Sequence, residues 1–500
     1  MPAALDLAVL AVYLGCALWV GRAAGRGRDL EGFLFGGRRL AWPLILGSIV
    51  ATETSTATFL SVPGLSFREG GSLWFLQLAL GYCLGRWLVA RLFLPAYFAG
   101  RIESAYELLG QRFGGGTRRL AAGTFLVTRT VGDGLRLFLT AAALERFLGV
   151  SFLAALLCLS AATLAYTALG GMASIVWNDC LQGLLYLAGG VLALVWAVEA
   201  LPGGFGEMLD FARESGRLRL FHGGDWLTDK RHWLAGILGG LVLTMGTHGA
   251  DQMMVQRCLA AGEPKAAARA LLWSGPVVLL QFLLFLALGL ALAAEARHSG
   301  LNPAPDQAVA AFLARTAPAG SGFLGLFAAA IAAAAMSTLS SSLNASAGAL
   351  LSDFWRPWRG PRGGELTLLR GFTLLFMGLQ IAVALLARGQ SESVVSEVLA
   401  VASFSAGLLL GLFLLARLAP RADARAAGIG FAASLGALLW LRFGAPAFGF
   451  VLAWPWYALV GAGMLILVGA ALAPRAAAAG ATPLRSDTRP RAGDSADDAR

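Results

Sequence analysis

A succession of apolar runs, each about twenty residues long, decides what this chain can fold into. Twenty residues at ~1.5 Å per residue span the ~30 Å hydrocarbon core of a bilayer. In lipid every backbone N–H and C=O must be satisfied inside its own segment, so each run has to be a helix. About thirteen crossings are expected on this length criterion, at residues 4–21, 40–63, 70–90, 118–147, 150–169, 174–199, 232–255, 270–294, 308–351, 366–387, 394–416, 426–442 and 451–472. The block at 308–351 is too long for one crossing and is read as a short external helix followed by a span from about Ser321. Composition agrees: 57% of the 500 residues are hydrophobic, only 14% are charged, and the mean hydropathy is +0.69. An all-α polytopic membrane protein follows, and a soluble enzyme does not.

Charge gives the orientation. No Lys or Arg precedes the first block and Arg22, Arg26, Arg28, Arg38 and Arg39 follow it, so it reads as a retained helix with its N-terminus outside, not a cleaved leader. Alternate loops then carry Arg101, Arg112, Arg118, Arg119, Arg257, Lys265, Arg269, Arg356, Arg359, Arg362, Arg417 and Arg421, which makes that side cytoplasmic. The net charge of +10 is therefore assigned to loops facing anionic lipid, and a nucleic-acid partner is not expected. Cys16, Cys83, Cys158, Cys180 and Cys258 have neither disulfide nor metal-ligand spacing. The tail, 474–500, lacks apolar periodicity and reads as disordered and cytoplasmic.

Ionisable side chains inside a span cost roughly 2.5–3.5 kcal/mol each on insertion scales, so each needs a partner or a task. Those that stand out are Glu53, the group Arg129, Asp133 and Arg136, and then Asp179 and Asp251. Glu53 lies in "SIVATETSTATFL" among Thr54, Ser55, Thr56 and Thr58, whose hydroxyls compete for backbone partners, and Pro63 and Gly64 weaken the far end. A break there would free main-chain carbonyls, which secondary transporters use to hold a coupling ion; close packing of small residues would use the same composition. In "AAMSTLSSSLNASAGAL", Ser337, Ser340, Ser341 and Asn344 recur at i, i+3, i+4, i+7 and share one helical face, with Thr338 on its flank. Such hard oxygen donors suit an alkali cation, although small-residue packing explains the pattern equally.

Four stretches, in order, resemble the sodium/solute symporter family, which includes sugar, proline, sialic acid and monocarboxylate symporters. "GSIVATETSTATFLSVPG" resembles its broken first core helix and "LGGMASIVWNDCLQG" the start of core helix five. "GTHGADQMMVQRCLAA" is similar to the cytoplasmic end of core helix six, and "AAMSTLSSSLNASAGALLSDFW" to core helix eight. The resemblance implies a LeuT-type 5+5 inverted repeat with a broken first helix in each repeat, here residues 40–199 and 232–416 within a 1–473 transporter domain, preceded by the helix at 4–21 and followed by two helices at 426–472. It places a principal sodium ion on the carbonyls of Ala51, Thr54 and Ala334 and the hydroxyls of Ser337 and Thr338. A second sodium at Ser340, Ser341 and Asp179 is implied as in some members, against a plain helix-end charge for Asp179.

The family's sugar-gripping Asn and Gln are replaced here by Glu53 and Thr58, so a sugar cannot be carried over. Arg129, Asp133 and Arg136 share a face with one net positive charge, to be met either by Glu53 or by a substrate carboxylate. His248 and Asp251 are candidates for an inner gate, and Thr244 and Ser403 for the cavity. The expected function is sodium-coupled import of a small polar organic solute across the inner membrane, with no enzymatic activity and no obligate protein partner. A proton-coupled carrier titrating Glu53 or Asp133, and a solute sensor that does not transport, are the alternatives.

Overall fold

The computed structural model describes residues 4–25, 29–54, 56–318, 320–388 and 394–474, with backbone alone for 56, 57 and 394–402. The expected tail lies outside the described residues, as does Ser55. The architecture is helical: α1 (Ala4–Ala24), α2 (Trp42–Glu53), α3 (Thr56–Phe67), α4 (Leu76–Leu92), α5 (Gly115–Leu148), α6 (Phe152–Glu199) and α7 (Trp233–Gly249). These are followed by α8 (Gln252–Ala260), α9 (Pro264–Ser299), α10 (Phe323–Ala349), α11 (Glu365–Leu386), α12 (Val394–Leu418), α13 (Ala424–Leu439) and α14 (Trp456–Ala471). Short helices at Leu30–Phe35, Tyr106–Phe113, Gly204–Glu214 and Ala308–Thr316 join them. The last of these and α10 divide the long 308–351 block where the sequence suggested.

Among the described residues seven helices are long and apolar enough to cross a membrane, and up to nine if each bent pair is one span. That is fewer than the thirteen apolar blocks, for physical reasons. The blocks at 150–169 and 174–199 count once because helical structure runs through both as α6, in two segments that meet at a kink at Gly171. Helix α5 carries Arg129, Asp133 and Arg136, and the block from Leu40 to Pro63 is cut into α2 and α3. Polar residues and breaks thus keep the segments that carry the candidate site residues from reading as simple apolar spans.

Two interruptions match. Thr54 ends α2 in an extended conformation (φ −90°, ψ 109°), and Asp251, between α7 and α8, adopts nearly the same one (φ −89°, ψ 125°). The α7–α8 pair bends by 62° there, and Asp251 caps α8 by accepting from the Met253 amide at 2.9 Å. Pro63, expected to weaken the first broken helix, instead lies within α3. The Ser66 hydroxyl, which donates to the Pro63 and Leu286 carbonyls at 3.1 and 2.7 Å, ties that turn to α9.

Helix α10 is the centre. From Phe327 to Ala349 each of its residues is buried, which Ala, Ser and Gly allow because small side chains let neighbouring backbones approach. It packs on α1, α5, α6 and α11, and touches α2, α3 and α8. The hydroxyl face of α10 is therefore turned toward the break in the α2–α3 pair rather than toward lipid.

Candidate functional site

At the break, α2 runs out of amides for its last carbonyls. The Thr338 hydroxyl on α10 donates to the Thr52 carbonyl at 3.0 Å, joining the end of α2 to α10, and lies 3.5 Å from the Ala334 carbonyl. Thr54 is held from the other side: its hydroxyl donates to the Val50 carbonyl at 3.1 Å and accepts from the Gln281 amide. Gln281 is in turn fixed by the Tyr186 hydroxyl at 2.8 Å. Ala51, Thr54, Ala334, Ser337 and Thr338, the five residues assigned to the principal sodium ion, are all buried, and Thr338 and Ser337 reach the end of α2 through Thr52, which makes the α2–α10 contact a seam of hydroxyls and helix-end carbonyls.

One turn toward the α8 side, Asp179 is the hub of a second cluster. It is fully buried in α6, eight residues beyond Gly171, not at a helix end. Its Oδ1 accepts from Ser337 at 2.7 Å, and its Oδ2 accepts from Ser48 at 2.5 Å, Thr52 at 3.3 Å and Ser341 at 3.5 Å. Ser340 turns elsewhere, donating to the Ser337 carbonyl at 3.1 Å, so of the two extra serines only Ser341 meets Asp179. The cation here is Arg257. Its Nη2 contacts Asp179 at 3.4 Å, Thr52 at 2.5 Å and the Ser341 hydroxyl, its Nε donates to Ser48 at 2.9 Å, and its Nη1 to the Met253 carbonyl at 2.8 Å.

Arg257 corrects the sequence reading, which counted it among cytoplasmic loop charges: it is 1% exposed and sits in α8. Glu53 is corrected too. It pairs with Arg86 of α4, with His248 Nε2 at 3.6 Å, and not with the α5 group. The buried Arg86 also donates to Ser274 at 2.8 Å. In α5, Arg129 pairs with the α8 cap Asp251 at 2.7 Å and Arg136 with Asp133, so the net charge expected there is met by Asp251. Thr58 is buried, and Thr244 fills the α4–α7 crossing, where a Cβ on Gly85 would lie 2.9 Å from it. Ser403 is buried in α12. Arg86 and Arg257 were missed because each stands near the end of an apolar block, where arginines ordinarily face water.

An interrupted helix facing a buried hydroxyl stripe, inside a bundle of membrane-length helices, defines an ion-coupled membrane carrier. The sodium:solute symporter family matches residues 33–435, and the chain belongs to that family. The human sodium/iodide cotransporter is 30% identical over 454 residues, 87% of this chain and 69% of that protein. The human sodium-coupled monocarboxylate transporter 2 is 29% identical over 425 residues, 83% of this chain and 67% of its own length. A substrate-bound, outward-open Na+-coupled sialic acid symporter superposes with a TM-score of 0.84 at 25% identity, covering 93% of this chain and 97% of the other. A nucleobase-cation-symport-1 family transporter, at 14% identity and a TM-score of 0.55, shares the fold alone. This protein is an integral membrane symporter that couples transport of a small solute to Na+, with a LeuT-like fold; it is a transporter rather than an enzyme, and neither the proton-coupled nor the sensor alternative is favoured.

Proposed function

We propose that this symporter imports a small, singly charged organic anion across the cytoplasmic membrane, with its N-terminus outside and its C-terminus cytoplasmic. The observation that carries the solute class is the pairing of arginines inside the bundle: Arg86 with Glu53, Arg129 with Asp251, Arg136 with Asp133 and Arg257 with Asp179. With these guanidiniums committed, a solute carboxylate finds its counter-charge in the sodium ion of the principal site. The solutes for which the relatives are named, iodide, monocarboxylates and sialic acid, support an anion.

The principal sodium ion is carried on the carbonyls of Ala51, Thr54 and Ala334 and the hydroxyls of Ser337 and Thr338, and a second near Asp179, Ser340 and Ser341. Sodium bound across the α2–α10 seam favours the outward-open form, and the solute adds the contacts that permit closure, so the two sites are coupled reciprocally. Residues 1–473 form the transporting unit and need no protein partner beyond the bilayer. Proteoliposomes test this. Sodium-driven uptake is expected for small monocarboxylates and not for neutral sugars, and Ser337→Ala with Thr338→Ala should raise the half-activating sodium concentration about tenfold or more, ~1.4 kcal/mol. An unchanged sodium requirement removes the site assignment, and uptake of sugars alone removes the solute class.

A further inference from the structure

The Asp179 cluster holds a cation that belongs to the chain itself. Four oxygens, Ser48 Oγ, Thr52 Oγ1, Ser341 Oγ and Asp179 Oδ2, converge on the Arg257 guanidinium. They come from three helices, α2, α6 and α10, while Arg257 comes from α8. A sodium ion would need these same hard oxygens, and two cations held within one small buried cage repel each other strongly. The guanidinium is 1% exposed and Asp179 fully buried, so bulk water replaces neither.

We propose that the Asp179 cage is an either-or cation site, in which Arg257 is a tethered stand-in that the second sodium ion displaces. The proposal rests on the second-sodium reading above. Arg257 is carried by α8, which is nine residues long and separated from α7 by the extended residue Asp251 and a 62° bend. All nine residues are buried, and Gln252 and Gln256 tie the helix to the Ala105 amide, the Glu103 carbonyl, Asn344 and the Leu34 carbonyl, so α8 stays in place when the guanidinium moves. With sodium in the cage, Arg257 is a cation facing a cation in a buried space, and its guanidinium gives way. Without sodium, Arg257 neutralises Asp179. Arg257 is thus a positioning residue that holds the Asp179 carboxylate until the coupling ion takes its place.

The test uses the full chain in nanodiscs and proteoliposomes, with Na+ alone as the probe. Arg257→Gln leaves Asp179 without its tethered partner, so sodium binding at the cage, measured by calorimetry without solute, should tighten about tenfold or more. Arg257→Gln with Asp179→Asn should bind one sodium ion fewer than Arg257→Gln alone. Where Arg257→Gln is not recovered folded, Arg257→Lys keeps the charge but reaches fewer oxygens, and a smaller shift in the same direction is expected. Sodium affinity unchanged or weakened in whichever of the two is recovered overturns the proposal. The result is separable from the principal site: Thr338→Ala, which removes a hydroxyl that reaches the Thr52 and Ala334 carbonyls and not Asp179, should weaken sodium activation with or without Arg257, and its failure to do so strikes the principal-site reading while leaving the displacement result to stand by itself.

Discussion

Glu53 and Arg86 show how a single pair sets the chemistry of a break. Arg86 is fully buried, while the Glu53 side chain keeps 15% of its surface exposed, so the guanidinium is the more deeply enclosed partner. Removing one partner of such a pair strands the other charge, at about 3–5 kcal/mol, whereas removing both costs far less. Arg86→Met is therefore expected to lower the melting temperature sharply in detergent, and Glu53→Gln in that background to recover most of the loss. A double-mutant cycle with no coupling energy would show that the pair does not hold α2 to α4. His248, 3.6 Å from the same carboxylate, is the neighbour that would feel the change first.

At the scale of elements, interruptions matter more than helices. Gly171 interrupts α6 at φ 62°, ψ −159°, a conformation that L side chains rarely adopt, and a Cβ there would sit 2.7 Å from the backbone of Phe33. Gly171→Ala should therefore shift the Leu30–Phe35 helix as well as strain α6, with at least ~1–2 kcal/mol lost from the backbone alone. The check is a fall in thermal stability larger than that of Gly463→Ala, a glycine with nothing within 4 Å of its built Cβ. Much of this scale was legible in the residues. The Thr-Ser ladder after Glu53 announced the α2–α3 break, because hydroxyls offer the backbone competing partners. Pro63 misled: α3 runs through it, and the Ser66 hydroxyl ties that turn to α9. What could not be read was which helix each buried charge would meet. The spacing of Arg129, Asp133 and Arg136 gives a shared face but not the identity of Asp251 across from it, and nothing local marks Arg257 as interior rather than cytoplasmic.

For the whole molecule, alternating access requires that one end of the bundle be tied while the other opens. The arginine-rich end is tied. Asp353, just beyond α10, accepts from Ser104 at 2.7 Å and from Arg118 of α5 at 2.6 Å, and Arg356 bridges Glu103 and Glu365. Together with the Arg257 cage and the Gln256–Asn344 bond, these contacts join α5, α8, α10 and α11 on one side of the seam that is proposed to hold sodium. Asp353→Asn keeps the side-chain shape and the Ser104 contact but removes the charge that holds Arg118, an interaction of about 1.5–3 kcal/mol. Because that residue lies away from the proposed ion ligands, its loss should act through the conformational equilibrium, shifting it about 10-fold or more toward the form open at this end. Sodium, which favours the opposite form, would then bind with weaker apparent affinity, while its intrinsic site is untouched. Distance measurements between spin labels on α5 and α11 should show the arginine-rich end widening in the sodium-free variant and closing again at saturating sodium. A variant whose distances match the parent protein at every sodium concentration would mean that this end is held by packing alone.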